Sequence, residues 1–536
     1  MTTNMHSGGG LSVTTNVDLS ATVDRLRDDR VPQRLQDKDA TLWGPEAEAE
    51  AAIRLGWIDT FTASRSLLPQ IKELKQRMRV NGIDRVVLGG MGGSSLAPEV
   101  IARTLDLQLT IVDTTDPQQV ATSLGSDLAR TIVVIASKSG STIETDSHRR
   151  VFEAAFRAAG IEEFDRHFVF ITDADSQLDQ WGHDHGITVF RADESVGGRY
   201  SALTAFGLVP AAMAGADVEE LIDQAEEFAS TITTEEDNPA LMLGAAIAEC
   251  ETITVTGDGS GIVGLGDWVE QLVAESTGKD GKGTLPVVVE YPGAPGARGD
   301  DRVAITYGGS STGVSPSGSA LDGADVAVNG PLGAQFLCWE LATAYAGVVI
   351  GIDPFNQPNV TESKENTARI LSEGLPTEEP NAVHGSIEIY GSHASTVGEA
   401  LQAALDDTGS ENAYVAIMTY LDRQSDTKLE NLRSGLAEHT AAVVTFGWGP
   451  RFLHSTGQFH KGGRQTGVFI QITGAHTTDF DIPGRDFSFA TLQAAQASGD
   501  RQALLERNRP LIRFHLTDRL AGIEQLLEAV KGLATS

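Results

Sequence analysis

The sequence predicts an α/β protein built on doubly wound parallel sheets, and three observations carry the prediction. Short apolar runs of strand length alternate with helix-periodic segments between residues 85 and 190. The same rhythm restarts after the acidic stretch T-T-E-E-D-N-P at 233–239, and again after about 380. Strands separated by helices at this spacing require crossover connections, which give parallel sheets covered on both faces. The expected layout is two α/β/α domains at 81–232 and 240–366, followed by a C-terminal α/β block at 380–536.

Each element has its own signal. Residues 1–16 are polar and glycine-rich, so disorder is expected there. Helical periodicity fills 17–80. Strands of the first sheet are expected at 85–89, 109–113, 131–135, 167–172 and 187–190. Those of the second fall at 252–257, 286–291 and 302–307, with a Gly/Ser-rich loop at 308–319 and a helix from about 333 to 350. The two halves read as copies of one architecture without a residue-level repeat. The best linker candidate is S-E-G-L-P-T-E-E-P-N-A at 372–382. The third block shows strands at 413–418, 441–446 and 468–472. It closes on an amphipathic helix with Leu516, Leu520, Ile523, Leu527 and Val530 expected on one face.

Charge narrows the partners. With 40 Lys and Arg against 74 Asp and Glu, the net charge is −34. Nucleic acids and anionic membranes need a positive footprint, so neither is an expected partner. Any anionic ligand must be held by a few local cations working against the general field. The two cysteines, Cys250 and Cys338, lie far apart in apolar surroundings and read as free thiols of a reducing compartment. The N-terminus lacks the basic start and apolar core of a signal peptide. The longest apolar run, around 342–352, is short for a membrane span and is interrupted by Gly347 and Gly351. A cytoplasmic protein is expected.

Five segments could carry chemistry. In T-I-V-V-I-A-S-K-S-G-S-T-I-E-T at 131–145, a buried strand runs into the hydroxyls of Ser137, Ser139, Ser141, Thr142 and Thr145. Hydroxyls and free N–H groups at a helix start form an anion site; the plain alternative is a well-capped turn. L-G-G-M-G-G-S-S at 88–95 lets a ligand approach the backbone at a strand's carboxyl end. It fits a sugar-phosphate loop better than a dinucleotide fingerprint, for which Asp113 would be the acidic residue. V-G-G-R-Y-S at 196–201 frees Arg199 to enter a cleft, unless it pairs with Asp193 or Glu194 on the surface. In 265–283, Leu265, Trp268, Leu272 and Glu275 share one helical face. Glu275 thus ends an apolar stripe with Gln271 one turn earlier, a setting in which desolvation favours a general base. The last two segments are the Pro-punctuated turn leading to Lys364 at 352–364 and the loop 451–463 with His454 and His460. No carboxylate or cysteine lies at metal-ligand spacing from these histidines, so no metal is expected.

Together the segments resemble the glucose-6-phosphate isomerase (phosphoglucose isomerase) family over 55–364 and 451–463. The matching motifs are S-K-S-G-S-T-x-E-T, G-G-R-Y-S, Q-x-x-x-E-S-x-G-K and F-x-Q-P-x-V-x-x-x-K. The resemblance implies two sugar-isomerase-type domains with a site between them, a homodimer, no cofactor, and a place in glycolysis and gluconeogenesis. It implies Glu275 as the base moving a proton between C1 and C2, and Arg199 as the stabiliser of the enediolate. Ser137, Lys138, Ser139 and Thr142 would hold the phosphate; Gly93, Ser94, Gln271 and Gln357 would line the sugar; Lys364 would assist ring opening. In the usual order the ring-opening histidine lies between the Glu and Lys motifs, yet residues 276–363 contain no histidine. His454, after Lys364, is the best match. This order, with the long block after 380, looks like the isomerase half of bifunctional transaldolase–isomerase proteins. The rival readings are a non-catalytic sugar-phosphate regulator of the same fold, an enzyme acting on mannose 6-phosphate or another phosphosugar, and a dinucleotide-dependent enzyme.

Overall fold

The computed structural model describes residues 4–232, 238–310, 321, 323–409 and 412–534, without the side chains of 360 and 361. Most of the acidic stretch at 233–239 and most of the Gly/Ser loop at 308–319 lie outside the described residues.

Among the described residues, three sheets organise the chain. The first has five parallel strands in the spatial order Thr110–Val112, Arg85–Gly90, Thr131–Ala136, Phe168–Thr172 and Thr188–Arg191. The second runs Asn4–Gly8, Leu11–Thr15, Val326–Asn329, Arg302–Gly308, Thr252–Gly257, Leu285–Val288. The third runs Ala382–His384, Ile387–Tyr390, Leu511–Leu516, Gly467–Gly474, Tyr414–Thr419, Val443–Trp448. In the last two, four parallel strands are extended at one edge by an antiparallel hairpin. The first sheet, numbered along the chain, starts in the order 2-1-3-4, and the parallel strands of the other two follow related doubly wound orders. The C-terminal block is thus a third unit of the same general architecture, and the expected α/β class holds throughout.

Three expectations need correction. Residues 4–15 form a hairpin instead: Leu11–Thr15 is fully buried and pairs with Val326–Asn329, with Leu11 and Val13 facing the core. Gly9 and Gly10, both at positive φ, make the tight turn back to Asn4–Gly8. Those glycines read as disorder in sequence but act as a hairpin turn. The expected boundary at 366 falls inside the helix Pro358–Glu373, which packs along Phe489–Glu506. The closing helix is Arg519–Lys531, so Leu516 ends a strand instead, and Leu520 is exposed. Its buried face is Gly522, Ile523, Leu526 and Val530.

Helices apolar on all sides belong in the core. Ala205–Ala214, Pro239–Ala248 and Leu332–Ile350 have this composition and are buried there. Leu332–Ile350 is the one described helix long and apolar enough to cross a membrane, and most of it lies inside the molecule.

The third block docks on the other two through two kinds of contact. An apolar seam joins Ala274, Leu285 and Val287 to Tyr414, Phe452 and Phe459. Beside it, a buried ion network ties Arg423 and Arg451 to Glu99 and Asp113. Arg451 Nη1 lies 2.7 Å from Glu99 and 2.9 Å from Asp113, and Arg423 Nη1 lies 2.9 Å from Glu99. Burial works to raise the Glu99 carboxyl, but the charges of Arg451 and Arg423 hold it at about 2. A carboxyl depressed in the folded state stabilises it above the ordinary carboxylate range, and that contribution is lost as pH falls through the folded value. Glu99→Gln should therefore cost about 3 kcal/mol at neutral pH, the cost of breaking a buried pair. Urea midpoints of wild type and variant should converge as pH falls from about 4.5 towards 2. A gap that stays constant with pH would show that the network is not what holds this contact.

Candidate active site

The first sheet positions the site. In a 2-1-3-4 sheet the chain leaves strands 1 and 3 in opposite directions, which opens a crevice at their carboxyl ends. Here those ends are Gly90 and Ala136, and the loops beyond them are the glycine loop and the hydroxyl loop. A cleft of about 320 Å³ lies there, within the usual range for small-molecule sites. The twelve residues given a role through the resemblance all line it: Gly93, Ser94, Ser137, Lys138, Ser139, Thr142, Arg199, Gln271, Glu275, Gln357, Lys364 and His454.

At the hydroxyl loop, Ser137 Oγ and Thr142 Oγ1 share a hydrogen bond of 3.0 Å. Thr142 takes the N-cap position of the helix Ile143–Ala158 but makes no side-chain cap bond. The first-turn N–H groups are therefore open to an anion. Lys138 Nζ lies 2.9 Å from Asp173 Oδ1, and burial raises the Asp173 carboxyl against the pull of Lys138.

The glycine loop permits close backbone packing. A Cβ on Gly93 would stand 2.0 Å from the Gly198 carbonyl, so the glycine loop and the G-G-R loop can touch only because Gly93 has none. That contact helps aim Arg199. Its side chain is 3% exposed, and its Nε donates to Ser276 Oγ at 2.8 Å. Nη2 donates to the carbonyls of Pro354 and Asn356, and Nη1 lies 3.5 Å from Glu275 Oε1. The surface pairing with Asp193 or Glu194 is not made.

Glu275 sits in the helix Leu265–Thr277 with Leu265, Trp268 and Leu272 buried as the stripe predicts. Gln271 Nε2 donates to Glu275 Oε2 at 3.1 Å and to the His454 carbonyl at 2.8 Å. One amide thus fixes both the carboxylate and the histidine turn. Its Oε1 is buried with no hydrogen-bond partner among the described residues, which leaves an acceptor for a ligand hydroxyl. Lys364, on the helix Pro358–Glu373, is exposed.

Several participants were not assigned roles from the sequence. Glu144 Oε1 lies 3.2 Å from His454 Nε2 and accepts from Gln496 at 2.7 Å. Burial works to raise Glu144, but the hydrogen bond and charge of His454 carry it below its ordinary value. The glutamate of S-K-S-G-S-T-x-E-T was the available signal. Lys279, the lysine closing Q-x-x-x-E-S-x-G-K, is buried and pushed well below the usual lysine range, by burial first and then by the charge of Arg199. Its ammonium donates to Asp353 O, Asn356 O and Asn356 Oδ1, holding the turn that carries Gln357.

Two rival uses find no support in the contacts. Asp113, the acidic residue a dinucleotide would need, is committed to Arg423 and Arg451. His460 is buried against Tyr414, whose hydroxyl lies 3.1 Å from its Nδ1, and burial pushes it down to about 3. Among the described residues, no three His, Cys, Asp or Glu converge as a metal-ligand set.

The arrangement suits proton removal from a carbon beside a carbonyl. A buried carboxylate can take the proton, an adjacent guanidinium can meet the developing oxyanion, and the hydroxyl loop lines the same cleft. Comparison with known proteins points the same way. Residues 48–292 match the phosphoglucose isomerase family. Over 213 residues the chain is 32% identical to a probable glucose-6-phosphate isomerase of Haloarcula marismortui, covering 38% of this chain and 49% of that protein. It is 36% identical over 213 residues to the chloroplastic glucose-6-phosphate isomerase 1 of Arabidopsis thaliana, covering 36% and 34%. The chain thus spans half or less of these relatives' length. Among solved structures, a hypothetical protein from Thermus thermophilus superposes with a TM-score of 0.57 at 22% identity, covering 69% of this chain and 100% of that one. A glucose-6-phosphate isomerase from Chlamydia trachomatis gives 0.53 at 18%, covering 69% and 90%. At these identities the structures show the shared fold.

Gly93→Ala tests the loop contact. We expect it to cost about 1–3 kcal/mol in stability, as overpacking does, and to weaken sugar-phosphate binding in calorimetry. Unchanged binding would mean that the Gly93–Gly198 contact does not shape the cleft.

Proposed function

We propose that the protein is an aldose–ketose isomerase that interconverts glucose 6-phosphate and fructose 6-phosphate through an enediolate. The observation that carries this reading is the pairing of Glu275 with Arg199, 3.5 Å apart, in the cleft that also holds the hydroxyl loop. Glu275 takes the proton from C2 of the open-chain aldose and returns it to C1. Arg199 holds the negative charge that develops on the enediolate oxygens, and the O2 proton passes to O1 as the ketose forms. Ser137, Ser139, Thr142 and Lys138 anchor the phosphate. Gly93, Ser94, Gln271 and Gln357 line the sugar. His454, oriented by Glu144, opens the ring with Lys364. Base catalysis supplies about 10²–10⁴-fold, so positioning and enediolate electrostatics must supply the rest.

The regulator reading is less well supported, because a pure sensor has no use for a buried carboxylate facing a buried guanidinium. Further parts of the proposal are a homodimer, a cytoplasmic location, and kinship with the isomerase half of transaldolase–isomerase proteins. Activity on mannose 6-phosphate is a matter for substrate profiling.

Glu275→Gln should abolish nearly all turnover in a coupled fructose 6-phosphate assay, with phosphosugar binding kept within a few-fold. Retained activity would overturn the assignment of the base. For His454→Ala, loss on the cyclic substrate should far exceed loss on an open-chain analogue. Equal losses would sink the ring-opening role.

A further inference from the structure

Cations are scarce on a chain of net charge −34, so those facing the cleft bear directly on what it can bind. The guanidinium of Arg199 is already spent on Ser276, the 354–357 turn and Glu275. Lys138 is held firmly by one group alone, Asp173, and its other two contacts are long. Its three N–H bonds meet Asp173 Oδ1 at 2.9 Å, Asp193 O at 3.4 Å and Glu194 O at 3.5 Å. The remaining arginine on the cleft wall is Arg54, which no sequence motif singled out.

Arg54 is fixed in place. Its Nε donates to Glu50 Oε1 at 2.7 Å and its Nη1 to Glu194 O at 2.9 Å. Close by in the chain, Gly56 N donates to Ser195 O at 3.2 Å, so this segment is seated on the loop leading into G-G-R. Among the described residues, no hydrogen bond or ion pair engages Nη2, which leaves that edge of the fork open. Arg54 and Lys138 also converge: both cationic groups reach the Glu194 carbonyl oxygen, at 2.9 Å and 3.5 Å. Two positive groups brought this close repel each other unless an anion joins them. Within the protein Asp173 plays that part for Lys138, and its carboxyl is raised by burial despite that partner.

We propose that Arg54 and Lys138 form a two-cation clamp that selects the doubly charged form of the substrate phosphate, with Arg54 the specificity-determining member. The inference rests on the isomerase reading only for the sugar attached to that phosphate. The open edge of the guanidinium donates N–H bonds to phosphate oxygens in a planar geometry that lysine cannot reproduce. Phosphate monoesters take their second charge near pH 6, so the clamp's advantage grows as pH rises through that value.

The test uses the full chain, inorganic phosphate as probe, and Arg54→Gln, Arg54→Lys and Glu50→Gln. By calorimetry, Arg54→Gln should weaken phosphate binding about tenfold or more, the scale of one charged hydrogen bond. The loss should be larger at pH 7 than at pH 5. KM for fructose 6-phosphate should rise by a similar factor with kcat little changed, and Arg54→Lys should recover part of the loss. Glu50→Gln removes the other partner of Arg54 but keeps its charge, so phosphate affinity should stay within about twofold of wild type, a surface pair being weak. Unchanged phosphate affinity in Arg54→Gln would overturn the clamp. So would an equal loss in Glu50→Gln, or a wild-type chain that does not bind phosphate. A wild type that binds phosphate through Arg54 yet does not turn over fructose 6-phosphate would sink the isomerase reading and leave the clamp standing.

Discussion

Arg451 is where the architecture is tied together. Its guanidinium reaches Glu99 on the helix after the glycine loop and Asp113 at the end of the neighbouring strand. It also reaches Asp267 on the helix that carries Glu275, at 3.5 Å. The same residue opens the turn Arg451–His454. A single side chain therefore sets the distance between the first sheet, the helix of the carboxylate and the loop of the histidine. Arg423, from the loop after Tyr414–Thr419, doubles the grip. Buried charges are costly to leave unpaired, so the arrangement has little freedom to drift. Gln271 adds a lighter constraint of the same kind by holding Glu275 and the His454 carbonyl with one amide.

The three sheets share a doubly wound plan, but their strand ends are used differently. The crevice of the first sheet is open and holds the site. In the third sheet, the loops after Tyr414–Thr419 and Gly467–Gly474 carry Arg423 and Thr477, which meet Gln119 and Gln118 on the helix Pro117–Leu124. Arg519 pairs there with Asp116, the residue capping that helix. Strand ends of one kind thus frame an open cleft in one unit and a docking surface in another. This is the physical content of the statement that fold does not fix function.

Much of this was legible in the sequence. The central strands of the first sheet are continuous apolar runs, which burial on both faces demands, and they fall within a residue or two of expectation. The glycine loop, the hydroxyl loop and the Glu275 stripe were visible because each is a local pattern. What stayed hidden is non-local. The strands Val326–Asn329 and Leu511–Leu516 are short or interrupted by Arg513 and His515, and the turn signal Asn329-Gly330-Pro331 marks only one end of the first. The hairpin at Asn4–Thr15 is rich in Ser and Thr, and only pairing with Val326–Asn329 gives it a buried face. Glu144 was in view as a residue but not as a partner, because His454 lies 310 positions away. Arg54 had no motif at all; its role depends on where a loop 140 residues later places one carbonyl.

The third block sends one loop, Arg451–His454, to the wall of the cleft. Seating His454 there is therefore coupled to how firmly that block docks on the first sheet. A histidine 310 positions beyond Glu144 reaches it only through contacts between blocks, so loosening that dock would loosen the cleft wall as well.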